Sequence, residues 1–275
     1  MDVHFVVPAG IDDPARPSGG NAYDRRIARG LAAAGWSVHE QEVHGLADLA
    51  AAIGAIPDGA LVLVDGLVAS PAPEVLVPHA SRLRLVVLIH MPLGTVQERD
   101  VLSAATSVVT TSAWARRALL DLYSLPAERV HVAEPGVDRA ELAPGTAASG
   151  ALLSVAAVIP GKGHDVLVDA LAPLASLPWE CVCVGSLERD PAFVEQVRRR
   201  AADGGVEQRV RLSGPQVGTD LDRRYATADL LVLPSRGESY GMVVAEALAR
   251  GLPVVATEVG GVPEALGHGA GGMRP

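Results

Sequence analysis

The stretch from Asp229 to Leu266 constrains the fold more than any other part of the chain. It reads DLLVLPSRGESYGMVVAEALARGLPVVATEVGGVPEAL. A short apolar run, 230–233, stops at Pro234, as a buried strand does. A helical run, 241–250, ends on Gly251 and Pro253, a normal stop signal. A second apolar run, 253–256, follows directly. Strand, loop, helix and strand in this order make the crossover unit that parallel strands require. The loop before the helix, 235–240, holds Glu238. Ligands of such sheets sit where strand ends meet helix starts.

The predicted helix is apolar on nearly every face, as one packed inside a domain is. Glu246 is the one charge in its core. A carboxylate there is costly unless it is paired or hydrogen-bonded. Two partners satisfy it: Arg250, four residues on, or a ligand hydroxyl. Glu238 and Glu246 stand eight positions apart, and this spacing alone is weak. With Pro234 and Ser235 before it and GGVPE at 260–264 after it, the segment resembles the E-x7-E region of the family-four retaining glycosyltransferases, which have the GT-B fold.

The rest of the chain reads as a βα rhythm. Apolar strands are expected at 3–7, 38–43, 60–65, 85–90, 107–111 and 130–133, then at 152–158, 179–184 and 209–212. Helices are expected at 21–34, 113–122, with Ser112 as cap, 191–202 and 221–226. Gly19 and Gly20 lie at the first strand-to-helix turn. Glycines there let backbone N–H groups approach a phosphate, or make an ordinary flexible entry. His90 falls at a strand end, on the rim that carries function in such sheets, although a lone histidine can equally be structural. Lys162 precedes a helix beginning near His164. A cation at a helix start opposes the macrodipole and makes sense if an anion binds both; a solvated loop lysine is the alternative. Arg25 with Arg29, and Arg116 with Arg117, could meet an anionic acceptor or an acidic membrane surface, or form solvated helix faces.

Composition narrows the class. The chain has 275 residues, 49% of them hydrophobic, enough for two cores of about 100–150 residues. A net charge of −9 argues against a nucleic-acid binder. Cys181 and Cys183 are the only cysteines; neighbours i,i+2 on a strand do not bridge, and buried thiols are expected. The N-terminus lacks the features of a signal peptide and no run spans a membrane, so a cytoplasmic location is expected. Gly267, Gly269 and Gly272 spell G-x-G-x-x-G without the strand and helix a dinucleotide site needs, and Gly161-Lys162-Gly163 lacks the rest of a P-loop.

The family resemblance extends over nearly the whole chain, with PSGGNAYDRRIARGLAAAGWSV at 17–38, EPGVDRAEL at 134–142, PGKGHDVLVDAL at 160–171 and GPQV at 214–217. It implies two Rossmann-like domains with parallel sheets facing across a cleft: an acceptor-side domain, 1–145, and a nucleotide-sugar domain, 146–275, cut short at its C-terminus. It implies a retaining transfer of a sugar from a nucleotide diphosphate sugar to an unknown hydroxyl acceptor. UDP is the default nucleotide and GDP the other choice; no cofactor or metal is required, and small-molecule donor and acceptor are the partners. Glu246 would bind the ribose. Glu238, with the backbone at Tyr240, Gly241, Met242 and Val243, would hold the sugar. Lys162 with Gly19 and Gly20 would meet the diphosphate, Gly214 the base, and His90 the reacting centre. Asn21 and Thr111 fall on the acceptor side. The family's clamp arginine, five residues before the lysine, is Ala157 here. A sugar-nucleotide epimerase and a non-catalytic binding module are the competing expectations.

Overall fold

The computed structural model describes residues 1–267 and the backbone of 272–273. The middle of the glycine string at 267–272 therefore lies outside the described residues. The chain divides into two compact units, 1–12 with 18–135, and 13–17 with 136–275.

The first unit is built on β1 (Asp2–Pro8), β2 (Ser37–Val43), β3 (Leu61–Asp65), β4 (Arg84–Ile89), β5 (Ser107–Thr110) and β6 (Val130–Val132). All pair in parallel, in the order β2-β1-β3-β4-β5-β6. Strands of such a sheet are covered on both faces, which is why they read as apolar runs rather than alternations. Phe5, Val6, Val62, Val64 and Val87 are fully buried. The helices cover the sheet, and one of them, Gly19–Ala33, starts two residues earlier than the sequence suggests because Ser18 accepts the Asn21 N–H as its cap. The helices Leu46–Ala55 and Val96–Ala104 escaped the sequence reading. The first begins at Gly45 with no side-chain cap, so its start carries no capping signal.

The second unit carries β7 (Ala151–Val155), β8 (Glu180–Val184), β9 (Val210–Leu212), β10 (Leu230–Leu233), β11 (Val254–Ala256) and β12 (Gly272–Met273). The order is β12-β11-β10-β7-β8-β9, again parallel. One core gathers Leu231, Leu233, Val244 and Val254; another gathers Val158, Val168, Cys181, Cys183 and Val197. The two thiols are free and buried, with sulfurs 4.0 Å apart.

Two expectations shift. The break falls at 135/136 rather than 145/146, because the segment after 135 already bonds into the second unit: Ala143 N–H donates to the Arg250 carbonyl, and Thr146 donates to Asp229 through N–H and hydroxyl. The helix after Glu238, Met242–Ala249, is not sealed on every face; Val244 and Ala247 are its buried residues, and Glu246 is half-buried.

Both sheets reverse strand order beside their first strand, between β1 and β3 and between β7 and β10. Such a switch point leaves a crevice at the strand C-termini, the usual ligand position in open α/β sheets.

Candidate functional site

In the second unit the loops after β7 and β10 flank the switch point. They bring together Lys162 and Glu238, 76 positions apart in sequence. Lys162 Nζ lies 2.6 Å from Glu238 Oε1, and the Ser235 hydroxyl donates to the same oxygen at 2.7 Å. Both charges keep some exposure, 27% and 12% of their side chains. The contact is therefore reachable by a ligand.

The loops are pinned to each other by backbone and by Arg236. Arg236 grips Asp165 through two nitrogens at 2.9 and 2.8 Å, donates to the Pro160 carbonyl, and its N–H bonds to the Gly161 carbonyl. Its guanidinium holds the Asp165 carboxyl below the usual carboxylate range. Gly163, with φ +68, rests on the Pro234 carbonyl so closely that a Cβ would sit 2.0 Å from that oxygen. Gly260, φ +58, does the same against the Glu238 carbonyl at 1.7 Å. The GGVPE segment thus backs the Glu238 loop; its glycines are required by close approach and left-handed backbone.

Glu238 is followed by buried Tyr240, then Gly241 in left-handed conformation, then the first helical residues Met242 and Val243. This helix start supplies positive dipole beside the carboxylate loop. Further along, Glu246 Oε2 accepts the Tyr225 hydroxyl at 2.7 Å. Arg250 donates to the Glu246 carbonyl, pairs with Asp222 at 2.5 Å and lies over the Tyr225 ring. The tyrosine, on the helix Thr219–Ala226, was not foreseeable as the partner from helical spacing. Gly214, φ +75, closes β9 with its carbonyl on the Gly185 N–H. Ala157 is half-buried in a tight turn. His164 is fully buried, with neither ring nitrogen hydrogen-bonded, and burial pushes its pKa down to about 4.

In the first unit the switch point is occupied by a cluster that sequence reading missed in part. His90 follows β4. Its Nε2 lies 2.9 Å from Asp24 Oδ1 and 3.1 Å from Asp65 Oδ2. Asp24 comes from the helix after β1 and Asp65 from the end of β3; both are buried. Asp65 Oδ1 also accepts the Leu67 N–H, capping the short helix Gly66–Ala69. Burial alone would lower the His90 pKa, but hydrogen bonds and charges of the two aspartates outweigh it and raise it to about 9. Burial raises the Asp24 pKa against the pull of His90. Gly20 lies against the imidazole, 3.2 Å from where its Cβ would be, and Tyr23 meets the ring edge-on.

The other residues singled out in this unit have local roles. Gly19 opens the helix rather than a loop. Asn21 donates its side-chain amide to the Ile11 carbonyl. Thr111 is 3% exposed with its hydroxyl toward the His90 carbonyl, so it supports the His90 backbone instead of standing open to an acceptor. Arg25 is enclosed by Asp12, Glu40 and Glu42, and Arg116 holds the carbonyls of Val130 and Ala127. Their anion-binding capacity is already satisfied inside the protein.

Asp24, Asp65 and His90 are also the group among the described residues with ligand atoms close enough to hold a metal ion, within 4.8 Å of one another. Tetrahedral zinc with bonds near 2.0 Å spreads its ligand atoms about 3.3 Å apart. Separations of 2.9 and 3.1 Å from one nitrogen match a shared proton better. No helix among the described residues is long and apolar enough to cross a membrane.

Two parallel α/β units, each with polar residues at its switch point, define the GT-B class of glycosyltransferase folds. Solved structures agree along the entire chain. Sucrose-phosphate synthase from Thermosynechococcus elongatus matches with a TM-score of 0.80 at 21% identity, covering 100% of this chain and 85% of that one. The Anabaena protein HepE, in complex with UDP and glucose, matches at 0.77 and 21%, covering 100% and 85%. Residues 150–274 match the family model described as Glycosyl transferases group 1. D-inositol 3-phosphate glycosyltransferase of Jonesia denitrificans is 35% identical over 196 residues, 64% of this chain and 46% of that protein. The Nocardia farcinica protein of the same name is 34% identical over 196 residues, 64% and 43%. The match thus spans less than half the length of these relatives.

Proposed function

We propose that the protein transfers a sugar from a nucleotide diphosphate sugar to a hydroxyl acceptor with retention of anomeric configuration. The observation that carries this is the Lys162–Glu238 pair at the switch point of the second sheet, beside a helix start. Lys162 would take the diphosphate and the Met242–Ala249 helix start would add positive potential where charge grows on the leaving phosphate. Glu238 would accept hydroxyls of the sugar, and Glu246 those of the ribose. Binding therefore exchanges an internal ion pair for two contacts to the donor. His90, on the rim of the first unit, would act as a cationic hydrogen-bond donor to the substrate there. UDP is the first nucleotide to try, since HepE was solved with UDP and with glucose. The names of the relatives make a phosphorylated cyclitol the first acceptor to try.

Ala157 in place of a clamp arginine favours a second reading, a binding module without turnover. Calorimetric titration with UDP and GDP, on the wild type, K162A and E246A, tests the site. Binding of one nucleotide, lost in both variants, supports it; no binding of either refutes the donor assignment. Turnover of UDP-sugar with acceptor excludes the non-catalytic module, turnover without acceptor indicates an epimerase, and an inverted product anomer excludes retention.

A further inference from the structure

The Asp24–Asp65–His90 cluster has a cost that stability does not explain. Two carboxylates, each about 1% exposed, converge on one imidazole nitrogen, and Asp24 Oδ2 has no hydrogen-bond partner. Buried polar clusters left partly unsatisfied are less stable than apolar packing. Such a cluster at the end of β3 and β4, beside a switch point, marks a functional position.

Its geometry fixes the imidazole. An Nε2 flanked by two carboxylate oxygens at hydrogen-bond distance must carry its proton there, because two acceptors face it. Asp24 holds the ring from the Gly19–Ala33 helix and Asp65 from β3, while Gly20 and Tyr23 confine its face and edge. The hydrogen bonds of the ring run from Nε2, and 16% of the side chain stays exposed.

We infer that Asp24 and Asp65 are positioning residues that hold His90 as an imidazolium, with Nε2–H turned into the protein and Nδ1–H presented to the substrate. The ligand chemistry this suits is a hydroxyl or anionic oxygen that gains negative charge during transfer. The inference rests on the transferase reading for its consequence, but its structural half stands without it. Among the described residues the charged groups paired with the ring are the two aspartates, with the Tyr23 hydroxyl engaged elsewhere, on the Ala133 carbonyl.

The test uses the full chain and the isosteric variants D24N and D65N; the asparagine oxygen in D65N can still cap the Leu67 N–H. Nitrogen-15 NMR of the His90 ring, assigned with H90Q, reads its protonation in substrate-free protein. The expected result is an imidazolium in the wild type at neutral pH and a neutral ring in either variant. Each variant should lower kcat about tenfold or more, as loss of a transition-state donor does, with the KM for nucleotide sugar nearly unchanged. D24N combined with H90Q should lose no more than H90Q alone, since residues acting as one unit are non-additive. A neutral ring in the wild type, additive losses, or a stoichiometric metal ion that survives dialysis overturns the inference. If the wild type turns over no nucleotide sugar, the transferase reading falls and the ring measurement alone decides this inference.

Discussion

Gly163→Ala is the sharpest probe of how the second unit builds its rim. Gly163 sits at φ +68, where an L-residue costs about 1–2 kcal/mol. Its added Cβ would meet the Pro234 oxygen at 2.0 Å. A non-bonded carbon prefers roughly 3.5 Å, so the two loops must part by about 1.5 Å. Overpacking of this kind costs about 1–3 kcal/mol, and reduced freedom of the unfolded chain returns about 0.4–1 kcal/mol. The net expectation is a loss of about 1–5 kcal/mol. The same displacement pulls Lys162 from Glu238, now at 2.6 Å, so nucleotide binding should fall with stability. Urea unfolding and UDP titration measure the two. Gly161→Ala is the control, since nothing lies within 4 Å of its Cβ position. A loss in Gly163→Ala below about 0.5 kcal/mol, with unchanged UDP affinity, would refute the argument that backbone contact sets this site.

Three further outcomes are expected. The His90 pKa is raised from 6.5 to about 9, so the native state binds more protons: its stabilisation is complete below pH 6.5 and lost as pH rises through 9. Asp24, raised from 3.8 to about 7, works in the same direction but at lower pH, between about 4 and 7; amide exchange in β1, β3 and β4 should speed up across the His90 window of pH 6.5–9, and H90Q should flatten that part of the dependence. Tyr225→Phe removes the hydroxyl from Glu246 and should cost about 1.5 kcal/mol in urea unfolding. If Glu246 holds the ribose, UDP affinity should fall too, and unchanged affinity counts against that role. Arg236→Ala breaks an exposed pair worth under about 1 kcal/mol, so unfolding should barely change while exchange in the 160–165 loop and UDP binding respond; a large stability loss would show that the pair is structural.

Much of this architecture is legible along the chain because parallel strands buried on both faces must be short apolar runs, and each must be followed by a crossover. That physics is local, and it suffices to put His90 at a strand end and Lys162 and Glu238 in the loops that lead from strand to helix. The helix Leu46–Ala55 escaped because no side chain caps its start, and the Glu246 partner because Tyr225 reaches it from another helix. What the tertiary structure decided is which strand ends share a crevice. Strand order reverses beside β1 and beside β7, and only this reversal joins Lys162 to Glu238. It likewise gathers Asp24, Asp65 and His90, which are far apart in sequence. Charge separation by a few ångströms sets their protonation, and such distances arise from sheet order and close backbone packing, which no local pattern of residues encodes.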